Sequence, residues 1–146
     1  MLTSESYLLA KGDGALAASH SVTTDANSAT VIITRTLPSD FPDLVRQFVG
    51  ETVTVVETQV WSLTDADAER HGTMSIEISG APVTMKATTV IRKTATGAAV
   101  VINGQIKVAV PLIGGRVETH VLEHLADVIA EEQHIGVQWL AENPRK

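Results

Sequence analysis

Between Ala98 and Glu142 the chain changes its hydrophobic period once, from two to nearly four, and that change constrains the fold more than any other stretch. Ala98, Val100, Ile102, Gly104, Ile106, Val108 and Val110 alternate with other residues and therefore share one face of a strand. After a break at Pro111-Leu112-Ile113-Gly114-Gly115 the spacing becomes helical. At about 100° per residue, Val117, Val121, Leu122, Leu125, Val128, Ile129, Ile135, Trp139 and Leu140 fall within an arc of roughly 140°. Such a helix, about 27 residues long, would span about 40 Å, enough to cross a whole sheet. Asn143-Pro144 ends it.

Asn103-Gly104 is a hairpin signal inside that strand. A tight turn there would set Ile102 opposite Gln105 and Val100 opposite Lys107, mixing apolar and polar residues on each face. A continuous strand over 98–110, with Gly104 as a bend, keeps one face apolar.

Upstream, β-branched residues dominate, and strands are expected near 15–23, 28–37, 52–62, 71–79 and 83–94. Turns are expected at Asp25-Ala26-Asn27, Thr64 to Glu69, Gly80-Ala81-Pro82 and Thr94 to Gly97. Leu2 to Lys11 could be the end of a helix, broken by Gly12-Asp13-Gly14. Ser39 to Phe48 reads as one or two helical turns with Ser39 as a capping serine. The expected fold is α+β: a curved, half-buried antiparallel sheet wrapped around a long C-terminal helix, in a single domain over residues 1–146.

Composition removes several functional classes. A formal charge of −6, with basic residues scattered rather than clustered, argues against a nucleic-acid surface. The absence of cysteine excludes thiol catalysis and cysteine-ligated metal, and fits a cytoplasmic, reducing setting. No stretch has the length of a membrane span, and Tyr7-Leu8-Leu9-Ala10 is too short for an export signal.

Few residues suggest chemistry. His120-Val121-Leu122-Glu123-His124 matches H-x-x-E-H, the inverted zinc-protease pattern. That pattern needs a third ligand from another element, and the 22 residues after His124 supply none. Both histidines share a polar stripe with Asp127 and Glu131, so a solvated face is expected, with no metal and no cofactor; an adventitious surface metal site is the lesser alternative and a protease the least. Gly12-Asp13-Gly14-Ala15-Leu16-Ala17 fits a dinucleotide fingerprint formally, but a β-rich segment follows it, so a turn is expected. Ser19-His20-Ser21 is not a nucleophile–base pair, because neighbours along a strand point to opposite faces. Glu132 is different. Its helical angle lies in the middle of the apolar arc, where an unpaired carboxylate costs several kcal/mol and so calls for a partner, water or a ligand.

The order of elements, the run Val108-Ala109-Val110-Pro111-Leu112-Ile113-Gly114-Gly115-Arg116-Val117-Glu118 and the late Trp139-Leu140 resemble the bacterial domain-of-unknown-function 2505 family of the START-like (SRPBCC, helix-grip) superfamily. The resemblance takes in Glu57 to Trp61 and Ser79 to Val83 and covers almost the whole chain. It implies a hydrophobic cavity between sheet and helix. Members of the superfamily include lipid carriers, hormone binders and polyketide cyclases. It also implies a first strand that is not expected in this sequence; its absence would leave the edge of 98–110 unpaired, which points either to self-association through that edge or to a start codon assigned too far downstream.

The expected function is therefore binding of a small hydrophobic, lipid-like molecule, with Met74, Ile76, Met85, Ile102, Val128, Glu132 and Trp139 as candidate cavity residues. Two alternatives stand beside it. One is a cyclase- or hydrolase-like enzyme, for which only Glu132 can be nominated, with His71 and Thr89 in support. The other is an interaction module or homodimer built on the edge of 98–110.

Overall fold

The computed structural model describes residues 1–63, 69–109, 111–112 and 114–144. In chain order the elements are α1 (Glu5–Lys11), β1 (Ala17–Thr24), β2 (Ser28–Pro38), α2 (Asp43–Val49), β3 (Thr52–Ser62), β4 (Glu69–Ser79), β5 (Val83–Lys93), β6 (Ala98–Val108) and α3 (Gly114–Glu142). The strands form one antiparallel sheet in the order β1-β2-β3-β4-β5-β6. The fold is α+β, a curved sheet carrying a long C-terminal helix. No helix among the described residues is long and apolar enough to cross a membrane.

Each strand lies within two residues of its expected bounds. Of the turn expected at Thr64 to Glu69, Glu69 opens β4 instead, and residues 64–68, like Val110 and Ile113, lie outside the described residues. The β1–β2 turn is built by Asp25, whose Oδ1 accepts the backbone N–H of Asn27 and Ser28 at 2.7 Å each. Ser39 does not cap α2. The residue before the helix is Pro42, which makes no side-chain cap, and Ser39 Oγ is buried without a hydrogen-bond partner. Pro42 takes that place with extended backbone, φ −52° and ψ 150°, and its carbonyl accepts the Arg46 N–H at 2.9 Å to close the first turn.

β6 runs unbroken through Asn103-Gly104, with Gly104 opposite Ala87. A Cβ at Gly104 would lie 2.8 Å from Ala87 Cβ and 2.9 Å from the Lys86 carbonyl, so the close approach of β5 and β6 requires glycine. Gly72 similarly makes room for the Trp61 ring, which would stand 2.7 Å from an added Cβ.

Register assigns the inner face. Ile33, Glu57, Ile76, Met85 and Ile106 form one row across β2 to β6, and Val31, Gln59, Met74, Ala87 and Gly104 form the next. α3 is anchored on this face near both of its ends. Near its start Val117 joins Phe41, Val53, Ala81 and Val83, with Val121 packed alongside. Near its end Ile135 and Trp139 pack against Tyr7, Leu8, Val31 and Ile33, which brings α1 between α3 and the sheet edge.

Candidate functional site

Four charged residues meet on the inner face beside the second anchor. Lys11, at the end of α1, is 4% exposed, and its Nζ reaches Glu57 Oε1 at 3.0 Å and Glu132 Oε2 at 2.9 Å. Arg35 lies 3.0 Å from Glu57 Oε2 and 3.8 Å from Glu132 Oε1. Two cations face two anions, so the cluster is neutral. Gln59 Nε2 donates to Glu57 Oε1, and Trp61 Nε1 donates to Gln59 Oε1 at 2.8 Å, which extends the network along β3.

Charge pairing outweighs burial here. Burial pushes the Glu57 carboxyl up, but Lys11, the Gln59 hydrogen bond and Arg35 together hold it below its usual value. Burial pushes Lys11 down, and Glu57 with Glu132 more than reverse that, so its ammonium is held above the ordinary range. Burial raises the neighbouring Tyr7 phenol, which favours its neutral form. The cluster joins α1, β2, β3 and α3, and it is the partner that an inward Glu132 calls for.

The remaining expected residues divide between this network and a partly exposed apolar strip. Trp139 belongs to the second anchor, its ring edge-on to Tyr7 at 6.0 Å and its Nε1 donating to Ser6 Oγ at 2.9 Å. Met74, Ile76 and Met85 lie half-buried on the inner face. Ile102 is 41% exposed and its strand neighbour Val100 58%. Val128 is the outlier on the helix. Eleven residues after Val117, it points within about 20° of the same direction on a regular helix. Yet Val117 is 1% exposed and Val128 is 51% exposed. The inward sector of α3 is therefore open at Val128, although Leu125 and Glu132 on either side of it are half-buried.

A hollow of about 640 Å³ lies elsewhere, across β3 to β6. Its lining includes Thr58, Thr73, Ser75, Lys86, Thr88, Asn103 and Gln105, which the strand alternation assigns to the outer face. Thr89, on the inner face, has a buried Oγ1 with no hydrogen-bond partner.

The histidine pair also has a neighbour that the reading forward from His124 did not reach. Asp40, in the loop ahead of α2, places Oδ2 3.2 Å from His124 Nε2. A third group beside the pair thus comes from another element upstream of the histidines, not from the 22 residues that follow His124.

Lys11, Arg35 and Glu57 were missed as site residues. A signal was present: alternation puts Glu57 among Val53, Val55, Gln59 and Trp61, and Arg35 among Val31, Ile33 and Leu37. A charge on an inward row needs a partner.

A family model described as a protein of unknown function (DUF2505) matches residues 1–140. No curated protein matches the chain.

Proposed function

Since the chain belongs to the DUF2505 family, which itself carries no assigned activity, we propose from the geometry that it binds an elongated hydrophobic molecule along the partly exposed strip between α3 and β4 to β6. We place it on the same ground in the START-like, helix-grip superfamily, whose ligands occupy that region. The observation that supports this is Val128: it has the direction of a core residue and the exposure of a surface one. An apolar helix sector left in water is unfavourable by about 25 cal/mol per Å², and a ligand chain would relieve it. Met74, Ile76 and Met85 would form the floor and Ile102 the rim. The unpartnered Thr89 hydroxyl and the half-exposed edge of Glu132 supply polar features for a head group.

The test uses delipidated protein titrated with a fluorescent fatty-acid analogue. Saturable binding that Val128→Asp weakens at least about tenfold, a loss of ~1.4 kcal/mol, supports the reading. Binding that is absent, or indifferent to Val128→Asp, overturns it. Native mass spectrometry of protein from its own host would then identify the occupant.

An enzyme has less support. Both Glu132 oxygens are already engaged by cations, Lys11 Nζ at 2.9 Å and Arg35 at 3.8 Å, which leaves no oxygen free to act on a substrate. Self-association through β6 has one specific observation in its favour. Among the described residues β6 is an edge strand paired only with β5; Ala98 to Gln105 are all exposed, and Lys107 is the strand's single charge. Such an edge is poorly protected against pairing with a second copy. Sedimentation at tens of micromolar should then show a dimer that Val101→Lys returns to monomer; a monomeric parent protein rejects this reading.

A further inference from the structure

We propose that Asp40, His120 and His124 form a binding site for a divalent cation of the zinc class, which fastens the loop ahead of α2 to the first half of α3. The ligand atoms these residues offer lie within 4.8 Å of one another. The two imidazoles are one helical turn apart, with ring centroids 4.3 Å from each other. A cation drawing the three groups to about 2.0–2.2 Å needs only small side-chain adjustments.

The orientation of His124 carries the inference. Its Nδ1 lies 2.9 Å from the backbone carbonyl of His120. A carbonyl oxygen only accepts, so the hydrogen sits on Nδ1, and in the neutral ring Nε2 then carries the lone pair. That lone pair faces Asp40 Oδ2 at 3.2 Å. Two electron-rich atoms so placed attract each other only through a cation, either a proton on Nε2 or a metal ion. A ligating histidine whose other nitrogen donates to a backbone carbonyl is the usual arrangement around a bound metal.

The framework is firm on both sides. Phe41, next to Asp40, is buried in the cluster that also holds Val117, one turn before His120. Its ring packs 5.8 Å from that of His120. Two imidazoles with one carboxylate suit zinc, cobalt or nickel; magnesium and calcium prefer all-oxygen sites. Asp40 is 81% exposed and His124 47%, so water completes the coordination and the ion exchanges with solvent. The site is separate from the apolar strip and does not depend on it.

The experiment is calorimetry with zinc on the metal-stripped full chain, paired with the visible spectrum of its cobalt complex. Binding of one zinc per chain, together with a cobalt spectrum of low coordination number, is expected. His124→Ala and His120→Ala should abolish both signals. Asp40→Asn should weaken binding about tenfold or more, in the range of losing one supporting group at a metal site. His134→Ala, which alters an exposed histidine further along α3, should change nothing. Asp40→Asn removes only an exposed charge, so it serves even where a histidine variant folds poorly. No zinc binding by the parent protein, an unchanged affinity in Asp40→Asn, or an equal loss in His134→Ala would each overturn the proposal, leaving a His124–Asp40 contact without a metal.

Discussion

Lys11 and Glu57 are joined at 3.0 Å with their side chains only 3% and 4% exposed. Water contributes little to either charge, so each depends on the other and on Glu132 and Arg35. Lys11→Met leaves two carboxylates facing one guanidinium in a buried setting. Urea unfolding should show a loss of about 3–5 kcal/mol, the usual result of removing one partner from a buried ion pair. Lys11→Met combined with Glu132→Gln restores neutrality around the Arg35–Glu57 pair and should recover more than half of that loss. Additive single losses would mean that the four charges do not act as one cluster.

The same residues bound the pH range of stability. Glu57 is held below its ordinary value of 4.5, burial being outweighed by Lys11, Gln59 and Arg35. Its contribution is complete above that value and is lost as pH falls from it through the folded-state value. Lys11 is held above its ordinary 10.5, burial being outweighed by Glu57 and Glu132. Its contribution is complete below 10.5 and is lost as pH rises past that point. Urea midpoints should therefore fall on both sides of a plateau. Glu57→Gln should lower the plateau and flatten its acid side; an acid side identical to that of the parent protein would remove Glu57 as its cause.

How far these features could be read from the chain depends on how local their causes are. The six strands and α3 follow from alternation and helical spacing, which neighbouring residues impose on one another. The inward angle of Glu132 followed from the same spacing. Its partners did not, because Lys11 and Arg35 reach it only once α1 is folded over β2 and the sheet register is set. Asp40 is hidden for the same reason: it meets His124 because Phe41 and Val117 share a core, a contact made across the four strands β3 to β6. Ser39 misled as a cap because α2 begins later, after Pro42, whose carbonyl accepts the Arg46 N–H that closes its first turn.

At Gly104 the strands leave no room for a side chain. An added Cβ would meet Ala87 Cβ at 2.8 Å and the Lys86 carbonyl at 2.9 Å, and the second contact is with backbone that cannot rotate away. Gly104→Ala should cost about 1–3 kcal/mol, the range for overpacking. Adding Ala87→Gly relieves one of the two contacts and should restore part of the loss. Unchanged denaturation by Gly104→Ala would show that β5 and β6 separate at no cost.

Val117 and Val128 give the sharpest separation of packing from binding, because the same substitution on the same side of one helix should do opposite things. Val117 is 1% exposed within the first anchor, so Val117→Ala should destabilise the fold by about 2 kcal/mol through lost burial and an unfilled space. Val128 is 51% exposed and has little packing to lose; Val128→Ala should change stability by less than about 0.5 kcal/mol. With the fatty-acid analogue present the order should reverse. Ligand-induced stabilisation should persist in Val117→Ala, since its site is elsewhere, and shrink in Val128→Ala, because bound ligand raises stability in proportion to the logarithm of its affinity. If ligand raises the unfolding midpoint of Val128→Ala as much as that of the parent protein, the strip along mid-α3 is not where the molecule sits.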